Sequence, residues 1–544
     1  MKGYHGRFLE VDLTNRTTRD LPLSEDFCKK YIGGATMAAA LIYERLAPGT
    51  DPLAPENPMV MATGPFTGSP LPMVSRYAVA GISPLTGFWG EATSGGTFPF
   101  RLKGSGWDGI IITGKADTPV YLYLAGGKAE IRDAAALWGQ NTYATQKQIK
   151  NENKDDKLSV ACIGTAGEKL IKYACIVNDK GRAAGRCGLG ALMGSKNLKA
   201  VAAGGNLRPK PADSEKVAQL AKQAVKDING NLVSVAFREY GTLMYSDMAM
   251  ILGDAPAKYF TKSVFAVDKV TGQTLRQKYS VTNYACLGCP IGCGRELVDF
   301  KPGLNVDGPE YETAMAFGPL CLNTDLDTIV EANHLCNVNG LDTISAGVCI
   351  AYAFYLYDQG VLSAEQVGME LHWGDGRAVV KLVKKIVNQE GIGVLLSEGT
   401  LAMARELGRD EGEAAQVKGL EMPMHDGRAF HGLALSYATG PRGACHLKGD
   451  YYNIDLGNMV LEYMILPSER MASEGKAEPA AKFQSLKDLY DALTLCKFSP
   501  VQVTQLCEML YHTKIRVCFY RISDHRLTPF ECAFQCFKLL THLI

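Results

Sequence analysis

The chain carries no net charge: Lys and Arg together number 57, and Asp and Glu together also number 57. No basic cluster breaks that balance, which excludes a nucleic-acid binder relying on phosphate neutralisation. Long hydrophobic runs are missing as well. The longest apolar stretch, Ile344 to Tyr357, is shorter than the roughly 20 residues a membrane span needs, and Asp342 and Asp358 bracket it. No apolar core segment follows Met1-Lys-Gly-Tyr-His-Gly6, so the N-terminus reads as a strand rather than a secretory leader. The expectation is a cytoplasmic chain with reduced thiols, where clustered cysteines bind metal more often than they form disulfides. No low-complexity tract and no internal repeat are visible, and 47% hydrophobic with 21% charged residues excludes wholesale disorder.

Glycine and cysteine are what the chain has in plenty. Average usage would give about 38 glycines; there are 57, with 16 cysteines. Excess glycine marks tight turns or backbone pressed against something bulky. At roughly 150 residues per domain, the 544 residues predict about three or four domains.

The first 205 or so residues read as β-rich. Leu9, Val11 and Leu13 alternate with Glu10 and Asp12, and Ile110–Ile112, Val120–Leu124 and Leu158–Ile163 are short strands bounded by Gly or Pro. After Arg208-Pro-Lys-Pro211 the period changes. Asp213 is placed to cap a helix carrying Val217, Leu220, Ala224 and Ile228 on one face, and helices are expected over 325–337, 343–357 and 378–389. A second break is expected at Met422-Pro-Met-His-Asp-Gly427, giving domains at 1–207, 208–420 and 421–544. The stretch from Thr513 to Ile544 has no glycine but holds Cys518, Cys532 and Cys536, and reads either as a cysteine-rich helical tail or as an altered reading frame.

The strongest local motif is Cys286-Leu-Gly-Cys289-Pro-Ile-Gly-Cys293, three thiols able to turn around one metal centre. An iron–sulfur cluster then needs a distant fourth thiolate; zinc on three cysteines and a histidine is the structural alternative. A second motif runs from Asn178 to Gly194. Its Gly188-Leu-Gly190 with Gly194 resembles a dinucleotide loop, but the third glycine comes one residue late and no paired acid is identifiable. The loop still suits a phosphate-bearing ligand, through backbone N–H groups and the forks of Arg182 and Arg186. Asp307-Gly-Pro-Glu310-Tyr-Glu312 and Gly440-Pro-Arg-Gly-Ala-Cys445-His446 complete the set; singly, their acids read as surface groups and the histidine as structural.

Together these blocks resemble the tungsten-dependent aldehyde:ferredoxin oxidoreductases, from residue 1 to about 510. Gly64–Gly68, Ser83–Gly87, Asn178–Lys199, Cys286–Arg295, Gly308–Thr313, Glu331–Ser345 and Arg442–His446 stand in family order. The resemblance implies an α+β fold: a β-rich N-terminal base of two related sheets, carrying a tungsten (or molybdenum) bis-pterin, and two mainly helical domains. It further implies a [4Fe–4S] cluster on Cys286, Cys289, Cys293 and Cys496, and Mg2+ bridging the pterin phosphates. Pterin contacts are implied at Arg76, Thr93, Gly95, Arg182 and Ala183. Two motifs of the form Asp-x-x-Gly-Leu-Cys/Asp add Asn337, Gly340, Leu341 and Asp342, then Asp491, Leu495 and Cys496. Asn337 replaces the usual aspartate, and Thr494 the usual glycine.

The activity implied is oxidation of a small aldehyde to a carboxylic acid, with ferredoxin or another low-potential one-electron carrier as acceptor. Glu312 is the implied base and His446 the donor to the aldehyde oxygen, with Glu310 as rival base, on an extended segment that would put it on the same face, and Tyr437 as a pocket residue. Glu331 matches an iron-bridging position at a dimer contact, but Val380 stands where its histidine partner belongs, so a homodimer or a partner subunit is expected without that iron. The competing expectations are a tungsten-dependent reductase of acids or aromatic acyl-CoA, an iron–sulfur electron carrier, and an inactive remnant.

Overall fold

The computed structural model describes residues 1–460 and 464–500; the expected change of character near Thr513 lies outside the described residues. The architecture is α+β. Twelve strands of the N-terminal region form two six-stranded sheets. The first holds β1 (Arg7–Asp12), β2 (Thr17–Pro22), β3 (Met59–Ala62), β4 (Tyr77–Ile82), β5 (Trp89–Ser94) and β6 (Gly109–Thr113). The second holds β7 (Val120–Ala125), β8 (Lys128–Asp133), β9 (Ser159–Cys162), β10 (Ile176–Asn178), β11 (Arg182–Ala184) and β12 (Leu198–Ala203).

The first sheet runs β2-β1-β6-β3-β4-β5, and the second, read from β8, runs β8-β7-β12-β9-β10-β11. The order is the same, each strand advanced by six. The single parallel pair also corresponds, β1 with β6 and β7 with β12, while the other neighbours are antiparallel. The base is therefore an internal duplication, which corrects the expectation of no repeat. Topology needs only the period of alternation and the turn positions to agree, so two copies can share it without matching residue for residue.

Side-chain alternation explains how the sheets stack. Met59, Met61, Ile110 and Ile112 of the first sheet and Ala161, Val201 and Ala203 of the second meet in one buried cluster. Their neighbours Val60, Ala62 and Ile111 face outward onto the helix Gly34–Tyr43, and Val160, Cys162, Ala200 and Ala202 face outward onto the helix Thr142–Asn153. Both faces of each sheet are covered, and β3, β9 and β12 are accordingly buried along their whole length, Ser159 and Lys199 being the polar residues among them.

Beyond the base the structure is mainly helical. Asp213 caps Ser214–Gly230 as expected, its carboxylate accepting from the Lys216 N–H at 2.9 Å. Helices Leu326–Asn339, Thr343–Asp358 and Gly376–Asn388 occupy the expected spans, and Thr343–Asp358 is buried nearly all round in the largest core cluster. The apolar run that is too short for a membrane is thus a central core helix. A three-stranded sheet of β13 (Ser280–Tyr284), β14 (Gly294–Lys301) and β15 (Leu304–Asp307) carries the cysteine loop between its first two strands. Among the described residues no helix is long and apolar enough to cross a membrane.

Candidate active site

A cavity of about 970 Å³ opens between the base and the helical part. The two sheets contribute equivalent edges to it: Arg76, Thr93 and Gly95 from around β4 and β5, Cys175, Arg182 and Ala183 from around β10 and β11. The two late motifs dock on these same edges. Asp342 donates its N–H to the Tyr173 carbonyl at 3.1 Å, and Leu341 forms a β-bridge with Ala174. Cys496 donates its N–H to the Met73 carbonyl at 2.9 Å. The pseudo-symmetry of the base thus extends to the segments that close the cavity.

The cysteine loop and Cys496 reach the cavity together. Cys286, Cys289, Cys293 and Cys496 all line it, and Cys289, Cys293 and Cys496 pack with Met73, Ile228 and Ile291. Gly288 and Gly292 take the left-handed conformation, with φ of 73° and 66°, which lets the loop turn back on itself. Arg76 links this end to β5: one Nη lies 3.9 Å from Cys496 Sγ and the other 3.4 Å from Thr93 Oγ1. Among the described residues no three His, Cys, Asp or Glu already converge as a ligand set for a metal ion.

Several residues that line this cavity carry buried polar atoms without hydrogen-bond partners. Nε and Nη2 of Arg182, Nε of Arg442, Nδ1 of His446 and Oε1 of Glu312 have none. Burying such groups unpaired costs about 1–3 kcal/mol each, more when charged, so the site suits a polar occupant, anionic where it faces Arg182 and Arg442. Gly95 adds a steric argument: a Cβ there would meet Cys286 Sγ at 2.8 Å. These features fit a bulky, phosphate-bearing cofactor beside a thiolate-held cluster.

Not every residue implied by the resemblance faces the cavity. Asn337, Leu341 and Asp342 line it, whereas Gly340 turns behind the wall at φ 71° and accepts the Cys175 N–H at 2.8 Å. Leu495 packs in the core around helix Ala477–Ala492. Asp491 is buried between Lys448 (2.7 Å) and Lys497 (2.9 Å); burial opposes its charge, but the two ammonium groups hold the carboxyl well below its usual range. Glu331 is paired with Lys301 at 3.1 Å and Lys384 at 3.4 Å.

Glu310 and Glu312 do not lie on an extended segment, contrary to expectation. Glu310 is the N-cap of helix Tyr311–Phe317, and Glu312 sits in its first turn, so the two side chains diverge. Glu310 is hydrogen-bonded by Thr242 and lies 3.5 Å from Arg295. Glu312 instead turns toward two histidines. Its Oε2 accepts the Met424 N–H at 2.7 Å; its Oε1 stands 3.5 Å from His446 Nε2 and 3.6 Å from His425 Nε2. Burial raises the Glu312 carboxyl above its ordinary range, opposed by His425 and the Met424 N–H. Burial, with the nearby charges of His425, Arg186 and Arg442, drives His446 well below its ordinary value, so it is neutral. Tyr437 donates to the His425 carbonyl at 2.8 Å.

His425 and its partner Asp254 had no part in the expected site. The only sequence signal was Met422–Gly427, read as a domain break, while Asp254 lies far upstream.

Comparison with known proteins shows the family and the fold. The N-terminal domain model of aldehyde ferredoxin oxidoreductase matches residues 8–205, and the model of its domains 2 and 3 matches residues 219–517. The chain is 38% identical over 504 residues to the tungsten-containing aldehyde ferredoxin oxidoreductase of Pyrococcus furiosus, covering 92% of this chain and 82% of the relative. The Thermococcus kodakarensis enzyme of that name matches equally, and the WOR-like subunit of an aliphatic sulfonate oxidoreductase from P. furiosus is 33% identical over 478 residues, 82% of this chain and 75% of the relative. In fold, the chain superposes with a TM-score of 0.82 on the active-site complex BamBC of benzoyl coenzyme A reductase, at 23% identity, covering 100% of this chain and 88% of that one.

Proposed function

The chain belongs to the aldehyde ferredoxin oxidoreductase family, and from that premise we propose that it oxidises an aldehyde to its carboxylic acid, with water as the oxygen source. The observation that carries the reading is the single carboxylate of Glu312, anchored through one oxygen and facing two imidazoles with the other. Conversion of RCHO and H2O to RCOOH releases two protons and two electrons, so the site must take up protons at a defined atom.

When bound, a tungsten bis-pterin supplies a two-electron acceptor, and a [4Fe–4S] cluster passes the electrons singly to ferredoxin or a similar carrier. Arg76, Thr93, Gly95, Arg182, Ala183, Asn337, Leu341 and Asp342 are the cavity residues that would hold the pterins and their Mg2+; Cys286, Cys289, Cys293 and Cys496 would hold the cluster. Gly340, Asp491 and Leu495 support these from behind.

Glu312 takes the proton from water or from the hydrated aldehyde. Burial brings its pKa toward neutrality, where general-base catalysis is efficient. Neutral His446 presents one N–H where negative charge develops on the aldehyde oxygen, an interaction that strengthens toward the transition state. Stacked aromatic groups close the pocket: His425 lies on Tyr452 with centroids 4.5 Å apart, and Tyr311 and Tyr245 flank it.

Anaerobic purification followed by metal and pterin analysis, with an aldehyde panel and an artificial one-electron acceptor, tests the proposal. Tungsten or molybdenum, pterin and aldehyde-dependent electron transfer are expected together. An iron–sulfur protein without pterin, or a holoenzyme that turns over only carboxylic acids, sulfonates or aromatic acyl-CoA thioesters, would refute it.

A further inference from the structure

Behind Glu312 lies a second layer of polar side chains that the reaction as derived above does not use. Asp254 Oδ2 lies 2.6 Å from His425 Nδ1, and both side chains are buried. The other Asp254 oxygen accepts the Asp426 N–H at 3.0 Å, and the Asp254 carbonyl accepts the same N–H at 2.8 Å, so the aspartate is fixed at the foot of the His425 loop. With Nδ1 committed to Asp254, Nε2 is the nitrogen that faces Glu312 Oε1, at 3.6 Å.

We propose that Asp254 and His425 form a positioning dyad for Glu312, Asp254 fixing the ring and the ring setting the charge and aim of the base. This rests on Glu312 being the base. An aspartate fixing one nitrogen so that the other addresses a reacting group is a known way to hold an imidazole in one tautomer and to stabilise its cation. Two imidazoles lie within 4 Å of the buried carboxylate, and of these it is His425 that carries a second carboxylate, Asp254, on its other nitrogen.

The electrostatics agree in direction. Burial opposes a charge on His425, but Asp254, Glu312 and Asp450 outweigh it and raise its pKa above the ordinary value. The groups facing the pair are Asp254, Glu312, His446, Asp450, Tyr245, Tyr311, Tyr437 and Tyr452, with Arg186 also acting on Glu312. His446, 5.6 Å away by ring centroids, is pushed the opposite way, partly by His425 itself. The two neighbouring imidazoles beside Glu312 are thus pushed in opposite directions.

The test is the pH profile of kcat/KM for aldehyde in metal-replete holoenzyme. Removing the positive charge with His425→Gln should move the acid limb up by about one pH unit, with roughly tenfold lower activity below the limb and recovery above it. Asp254→Asn should shift it in the same direction by less. Should His425→Gln not accumulate, Asp254→Asn, which keeps an acceptor for the Asp426 N–H, carries the test. An infrared carboxylic-acid band lost in Glu312→Gln should titrate at higher pH in both variants. A uniform loss of activity with an unmoved limb, or no change, overturns the dyad. If Glu312→Gln itself retains full turnover, the base reading fails and the dyad with it; a dead Glu312→Gln with an unmoved His425→Gln profile defeats the dyad alone.

Discussion

Cys496 donates its backbone N–H to the Met73 carbonyl at 2.9 Å, and this one bond brings a late segment of the chain to the edge of the first sheet, beside the Cys286–Cys293 loop. That thiol is the fourth ligand in the [4Fe–4S] cluster site proposed above. Cys496→Ala should therefore lose cluster absorbance and most iron and sulfide, while its tungsten and pterin decline less. Unchanged iron and sulfide in that variant would remove Cys496 from the ligand set.

The same motif contains a backbone anomaly. Thr494 adopts φ 54°, the left-handed conformation that Gly340 takes at φ 71° in the companion motif. A left-handed residue other than glycine costs roughly 1–2 kcal/mol, and a β-branched one is a true outlier. Thr494 also lies 3.2 Å from Thr67 through their hydroxyls, which offsets part of that cost. Thr494→Gly should leave stability within about 1 kcal/mol of wild type, whereas Gly340→Thr should lose more than that. Denaturant midpoints compare the two; the reverse ranking would contradict this view of the motif.

The buried charges around Asp491 predict acid sensitivity. Lys448 and Lys497 hold this carboxyl below its unfolded value, and Glu91 also pairs with Lys448. A depressed carboxylate contributes its full stability above its unfolded pKa of about 4 and loses it as pH falls through the lower folded value. Asp491→Asn should cost about 3–5 kcal/mol at neutral pH by taking from the buried Lys497 its carboxylate partner and from Lys448 one of three, and should flatten the loss of stability below pH of about 4. Urea unfolding at several pH values measures both; a variant with wild-type stability at neutral pH would contradict it.

Much of this architecture was legible in the sequence because local patterns carried it. Alternation in Leu9–Leu13 and the apolar Ile110–Ile112 marked strands, and Asp213 marked the start of a helix. The three clustered thiols were legible from spacing, but the fourth was not, since nothing local ties Cys496 to Cys293; only the family resemblance pointed there. The duplication of the base was not legible because it shows in strand order and hydrogen-bond sense, which no single stretch of sequence displays. Glu310 and Glu312 were misjudged as extended because the Gly308-Pro309 pair before them signals a turn without saying that a helix follows. Asp254 and His425 were missed because an ion pair between distant segments has no local pattern.

The central claim is that Glu312 is the base of an aldehyde-oxidising site, and the most direct measurement is aldehyde-dependent reduction of a one-electron acceptor by metal-replete Glu312→Gln beside wild type. The substitution keeps the volume and an acceptor for the Met424 N–H but cannot take a proton. The expected result is full tungsten, pterin and iron content with turnover lower by about 10²-fold or more, the usual scale for losing a general base. Near-normal turnover at full metal content would contradict the account and move the search for the base to Glu310.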